Sequence, residues 1–156
     1  MRKIIKHLKF ITFTVYTFYK LKVFEFLNLR NFISLHYNKN IPIIFLDRPL
    51  FYTSPYWLLH SIQEIFIEKT YNFTNRKNDE LYIIDCGSNI GLGPIFWNRL
   101  YPNAKILCFE PDPNIFKLLL ENTRHIKKDS IKYENKAVWI SEKNILAAGV
   151  EGVSVV

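Results

Sequence analysis

A chain of 156 residues that is 49% apolar and 22% charged can bury one core of useful size, and this balance excludes wholesale disorder. The formal charge of +7 is concentrated at one end: residues 1–40 hold Arg2, Lys3, Lys6, Lys9, Lys20, Lys22, Arg30 and Lys39 against Glu25, and the rest of the chain carries thirteen charges of each sign. Such an arm can face an anionic membrane surface, a nucleic acid or water. The apolar residues between its charges favour the lipid interface, so no nucleic-acid partner is expected.

Phe10 to Tyr19 is flanked by lysines and diluted by Thr12, Thr14 and Thr17, which makes it too short to span a bilayer. Lys20-Leu21-Lys22 comes next in place of a small-residue cleavage site, which disfavours secretion; the expected location is cytoplasmic, with peripheral membrane contact through residues 1–40. Phe10 to Leu27 has no clean period of 2 or 3.6, so helix and strand both stay open, with helix the preferred reading. Ile41 to Leu46 reads as a short edge strand and Asp47-Arg48-Pro49 as a turn. Ser54-Pro55 then caps and opens a helix that ends near Lys69, with Trp57, Leu58, Ile62, Ile65 and Phe66 on one face.

The polar run Asn75 to Glu80 leads into Leu81 to Asp85, a strand expected to be buried on both faces. Pro94 opens a helix that Tyr101-Pro102-Asn103 closes. Lys105 to Glu110 is a second buried strand. Asp112-Pro113 starts a helix running to about Ile126, with Ile115, Phe116, Leu119 and Leu120 as its packing face, and Ile131 to Trp139 is a third strand or strand pair. Alternation of strand and helix at this spacing demands a parallel sheet. The chain thus reads as a basic apolar arm (1–40), a connector with a helix (41–80) and an α/β domain (81–156). Cys86 and Cys108 form no CxxC pair and read as buried thiols in a reducing compartment; His7, His36, His60 and His125 lack ligand spacing, and no metal site is expected.

Between the first strand and its helix lies Asp85-Cys86-Gly87-Ser88-Asn89-Ile90-Gly91-Leu92-Gly93. Gly87 lets the chain leave the strand with unusual dihedrals, and bare backbone at Gly91 and Gly93 admits a ligand at the helix N-terminus. A dinucleotide fingerprint runs G-x-G-x-x-G; here the glycines fall as G-x-x-x-G-x-G behind an acid. That order suits the methionine end of S-adenosylmethionine better than a pyrophosphate, with Asp85 accepting from the cofactor's ammonium group. Glu110, at the end of the neighbouring strand, has two oxygens that can accept from both hydroxyls of the ribose, or alternatively cap the next helix. The candidate cofactor-binding set is Asp85, Gly87, Ser88, Asn89, Gly91, Gly93 and Glu110.

The run from Ile83 to Leu92, together with Tyr101 to Ile106, Phe109-Glu110-Pro111-Asp112 and Asn135-Lys136-Ala137-Val138, resembles the FkbM family of methyltransferases. Glu64-Ile65-Phe66 and Tyr71-Asn72-Phe73 look like the segment that precedes the cofactor loop in that family. The resemblance covers about Ile62 to Trp139 and departs mildly at Ser88, where Ala is common, and at Pro94 in the helix start. It implies S-adenosylmethionine as cofactor and methyl transfer to a hydroxyl of a sugar or other small secondary metabolite. Methyl transfer also needs donor and acceptor held in line and a base for the hydroxyl proton. Glu68, Tyr71 and His60 lie in the connector, but each reads as helix surface or packing, and no catalytic base is assigned.

A complete sheet of this class continues for several strands beyond the third, whereas Ser141 to Val156 offer one at most. The expectation is therefore an α/β, Rossmann-like methyltransferase sheet truncated after its third or fourth strand, with a basic N-terminal arm, and inactive by itself. Two alternatives remain: a fragment of a nicotinamide-dependent oxidoreductase, against which the glycine spacing argues, and a non-enzymatic membrane-surface protein.

Overall fold

In the computed structural model, which describes residues 2–21, 29–36, 41–73, 81–138 and 154–155, the basic arm opens with helix α1 (Arg2–Leu21). The helix absorbs its threonines: the Thr12 and Thr14 hydroxyls donate to the carbonyls of Leu8 and Phe10 one turn back, at 3.0 and 2.8 Å. Its inner side carries buried Thr14, Phe13 with its ring 4.9 Å from that of His60, and Phe10 with its ring 5.1 Å from that of His36. No described helix is long and apolar enough to cross a membrane.

The chain divides into two compact units, Met1–Asn72 and Phe73–Val156. In the first, α1 packs against the helical residues 55–67. Helix α2 (Leu29–His36) presents Asn31, whose amide group pairs with the backbone of Ile44 as a neighbouring strand would: Ile44 N–H donates to Oδ1 at 2.8 Å and Nδ2 donates to the Ile44 carbonyl at 3.1 Å. Strands β1 (Ile43–Phe45) and β2 (Arg48–Leu50) form an antiparallel hairpin. Its two-residue turn is Leu46-Asp47, both left-handed (φ 52° and 63°), which matches the strand twist. The turn expected at Asp47-Arg48-Pro49 is thus displaced, and Arg48 and Pro49 belong to the second strand.

Helix α3 (Pro55–Ile62) starts at Ser54, which is extended and whose side chain accepts from Trp57 N–H, and runs on into a wider π turn over Gln63–Ile67 that ends before left-handed Lys69 (φ 56°). Leu58, Leu59, Ile62 and Ile65 are buried, but Trp57, expected on that face, is 66% exposed. At about 100° per residue Trp57 stands roughly 140° away from Ile62, so its own spacing excludes it from the buried stripe.

In the second unit, β3 (Tyr82–Cys86), β4 (Lys105–Phe109) and β5 (Ile131–Glu134) make a parallel sheet in the order β3-β4-β5, with Asp85 level with Cys108 and Cys108 level with Tyr133. Helices α4 (Leu92–Leu100) and α5 (Pro113–Thr123) connect the strands, giving an α/β, Rossmann-like order. Sequential parallel strands with crossovers of one hand put both helices on one face. The contacts agree: Thr123 of α5 hydrogen-bonds the Tyr133 hydroxyl at 2.8 Å, and Gly93 of α4 lies against Asp85. Ile83, Ile106, Cys108 and Ile131 are buried on this side. On the opposite face Tyr82 and Ile84 are 70% and 67% exposed, so β3 is covered on one side and not, as expected, on both.

Other details differ in the same way. Helix α4 begins at Leu92, two residues before Pro94, because Gly91 supplies a left-handed cap; Pro94 lacks an N–H that the first turn would leave without an intrahelical partner anyway. In α5, Leu119 is fully buried but Leu120 is exposed, and Asn122 and Thr123 complete the inner face. Cys108 is a buried thiol, which burial pushes up to about 12, whereas Cys86 is exposed. A short strand, β6 (Lys136–Ala137), pairs in parallel with β7 (Ser154–Val155); Trp139 lies outside the described residues.

Candidate functional site

The C-terminal ends of β3 and β4 bring the seven candidate residues together, six of them in one hydrogen-bonded cluster and Gly93 beside Asp85, at the place where open parallel sheets present ligands. Gly87 and Ser88 N–H both donate to the Phe109 carbonyl at 2.8 Å, which extends the strand pairing into the loop. The loop then turns: Gly91 N–H donates to the Ser88 carbonyl at 2.9 Å, and Gly87, Asn89 and Gly91 are all left-handed, with φ of 94°, 49° and 93°. Asn tolerates that region better than most side chains.

Glu110 fastens the loop to the second crossover. It is 6% exposed, with Oε2 accepting from Asn89 N–H and Oε1 from Asp112 N–H, both at 2.9 Å. Asp112 in turn caps α5, its Oδ1 accepting from Asn114 and Ile115 N–H at 2.7 and 3.2 Å. Each Glu110 oxygen keeps acceptor capacity beyond the one bond it makes. The helix cap expected as the alternative role of Glu110 falls to Asp112; Glu110 instead binds the N–H of that cap residue, which leaves it chemically able to accept from a ribose as well.

The glycines have different reasons to be glycine. A Cβ built on Gly91 would lie 2.8 Å from Thr123 Cγ2 and 3.0 Å from Leu119 Cδ1, so its bare Cα serves packing of the loop on α5. A Cβ on Gly93 would meet Trp97 and, at 3.3 Å, Asp85 Oδ2. Only the Cβ position of Gly87, among these three, faces open space. Approach of a ligand to bare backbone was the reason expected at Gly91 and Gly93; the structure supplies packing there and openness at Gly87.

Asp85 sits half-buried beneath the loop. Burial raises its carboxyl above the ordinary range; a hydrogen bond with the Ser88 side chain offsets part of this, and the charge of Glu110 adds to it. Ser88 is buried and its hydroxyl donates to the Asp85 carbonyl at 3.1 Å, so its polar group is directed into the fold. Gly87 and Asn89 are the exposed members of the set.

Asn122, which sequence reasoning did not single out, and Asn135, which stood only in the run that carries the family resemblance, complete the frame. Asn122 Nδ2 donates to the Ile90 carbonyl at 2.8 Å, and Asn135 Nδ2 donates to the carbonyls of Glu110 and Pro111 at 2.7 and 3.2 Å. The signal for Asn122 was a polar residue one turn from Leu119 on a face that must be buried. Of the connector residues considered as bases, His60 packs against Tyr56 and Phe13, and Glu68 accepts from Gln63 Nε2 at 2.9 Å. Among the described residues no group of three or more His, Cys, Asp or Glu is placed to hold a metal ion.

No known family profile matches the chain. It is similar to two methyltransferases: 42% identical over 60 residues to Methyltransferase sdnD of Sordaria araneosa, covering 38% of this chain and 23% of that protein, and 40% identical over 60 residues to Methyltransferase 1 of Beauveria bassiana (strain ARSEF 2860), covering 38% and 24%. The match thus spans about a quarter of the length of these relatives. Among solved structures, the hMettl16 catalytic domain in complex with MAT2A 3'UTR hairpin 6 overlaps 69% of this chain and 37% of its own, at 19% identity and a TM-score of 0.36. The N-terminal domain of human METTL16 overlaps 88% and 59%, at 16% identity and a TM-score of 0.37. The α/β class stands on strand order and register, and the sequence of this chain is related to that of methyltransferases.

Proposed function

We propose that the second unit is the S-adenosylmethionine-binding part of a methyltransferase of the FkbM kind, acting on a hydroxyl of a sugar or other small metabolite. The observation that carries this reading is the loop from Gly87 to Gly91, held between Asp85 and Glu110 at adjacent strand ends, in a chain whose relatives are named methyltransferases. The site fits such a cofactor on its own geometry. Gly87 leaves open space over the backbone, Asp85 offers a carboxylate for an ammonium group, and Glu110 retains acceptor capacity for hydroxyls while anchoring the loop.

When bound, S-adenosylmethionine supplies a methyl group already activated by its sulfonium charge. The protein's part is to orient it: Asp85 and Glu110 at fixed strand ends set the two ends of the cofactor, and the loop's internal hydrogen bonds keep that spacing rigid. A pyrophosphate fits less well, since Asp85 would face it with like charge. The RNA hairpin in the solved complex belongs to that protein, and a small hydroxylated acceptor is the partner proposed here.

Thermal melting of the chain with S-adenosylmethionine, S-adenosylhomocysteine and NAD tests the reading. Saturation at a hundredfold excess over Kd stabilises by about 2.7 kcal/mol, so the first two ligands should raise Tm by several degrees and NAD should not. A shift with NAD alone would replace this reading by the oxidoreductase one.

A further inference from the structure

Helix α1 has an outward stripe that its own unit does not cover. Ile4, Leu8, Val15 and Tyr19 fall within an arc of about 60° at helical pitch, extend over roughly 22 Å of axis, and are each 47% to 69% exposed. Ile5 and Tyr16 widen the stripe on one side, and exposed Lys9 comes next around the helix. Scattered exposed apolar residues are ordinary, but six on one face, interrupted by exposed Thr12, mark a contact surface.

Charge identifies the occupant: the arm that carries the stripe holds eight cations against one acid. A second protein copy would place cation against cation on this arm, whereas an anionic lipid surface receives both the cations and the apolar stripe.

We infer that α1 docks the protein on an anionic membrane surface, the helix lying in the interface plane with its Ile4-Leu8-Val15-Tyr19 stripe among the acyl chains. The helix lies on the bilayer and does not cross it, in keeping with its length and hydropathy. This inference is independent of the cofactor reading and stands or falls without it.

Flotation of the full chain with phosphatidylcholine vesicles, with and without phosphatidylserine, tests it. The chain should float with the phosphatidylserine vesicles, and binding should fall about fivefold for Lys9→Ala. Leu8→Ala, which keeps helix propensity, should lower binding about tenfold, and Leu8→Glu with Val15→Glu should abolish it, with helical circular dichroism retained in each variant. Absence of flotation, equal flotation of Leu8→Ala, or equal binding to neutral vesicles would overturn the inference. So would sedimentation showing a dimer that Leu8→Glu dissolves while vesicle binding stays unchanged.

Discussion

Glu110 joins the two crossovers through bonds that a neutral amide cannot reproduce. Glu110→Gln keeps the shape but turns an NH2 toward one of the two N–H donors now bound to Oε1 and Oε2, which should destabilise the protein by about 2–3 kcal/mol in denaturant unfolding. The glycines separate by environment. Gly91→Ala combines a left-handed φ with a 2.8 Å approach to Thr123 and should cost about 3 kcal/mol, whereas Gly87→Ala, with the same φ and open space, should cost about 1–2 kcal/mol. Asp85 gives a pH signature. Its folded pKa is raised by burial, so the ionised form opposes folding at neutral pH, and that penalty is relieved as pH falls through the folded pKa. Asp85→Asn should therefore raise Tm at neutral pH, with the gain shrinking in a melting series taken toward acid, while weakening cofactor binding. Stability and binding moving in opposite directions is the mark of a residue kept for function.

Elements were legible where a local rule and the global fold agreed. Ser54-Pro55 and Asp112-Pro113 both start helices as their capping chemistry requires, and Asp112→Ala should cost α5 about 1 kcal/mol by the same denaturant measurement. Strands β3 and β4 were readable from apolar runs ending in acids, and with them the cluster of Asp85, the glycine loop and Glu110. The misses have physical causes. Leu46-Asp47 carries none of the Asn-Gly chemistry that announces a two-residue hairpin turn, so β2 was hidden inside an apparent turn. Apolarity does not say which face is covered, so the exposed side of β3 and of Leu120 was invisible. Asn31 and Asn122 satisfy backbone groups 13 and 32 residues away, a role no local pattern encodes. The Asn31 bonds close an exposed edge of β1, and Asn31→Ala should cost about 2 kcal/mol, readable as faster hydrogen exchange at the Ile44 amide.

At the scale of the molecule, the two units separate two tasks. The first carries the basic arm and its exposed helix stripe; the second carries every residue proposed to hold a cofactor. Kinship to methyltransferases extends over 60 residues, and cofactor binding is a property this chain can be asked for directly. Calorimetric titration of the full chain with S-adenosylmethionine is the most direct measurement. The account predicts saturable binding at micromolar Kd, about tenfold or more weaker in Asp85→Asn, and no heat with NAD. A folded chain that gives no heat with S-adenosylmethionine, or one whose affinity is unchanged by Asp85→Asn, would contradict it.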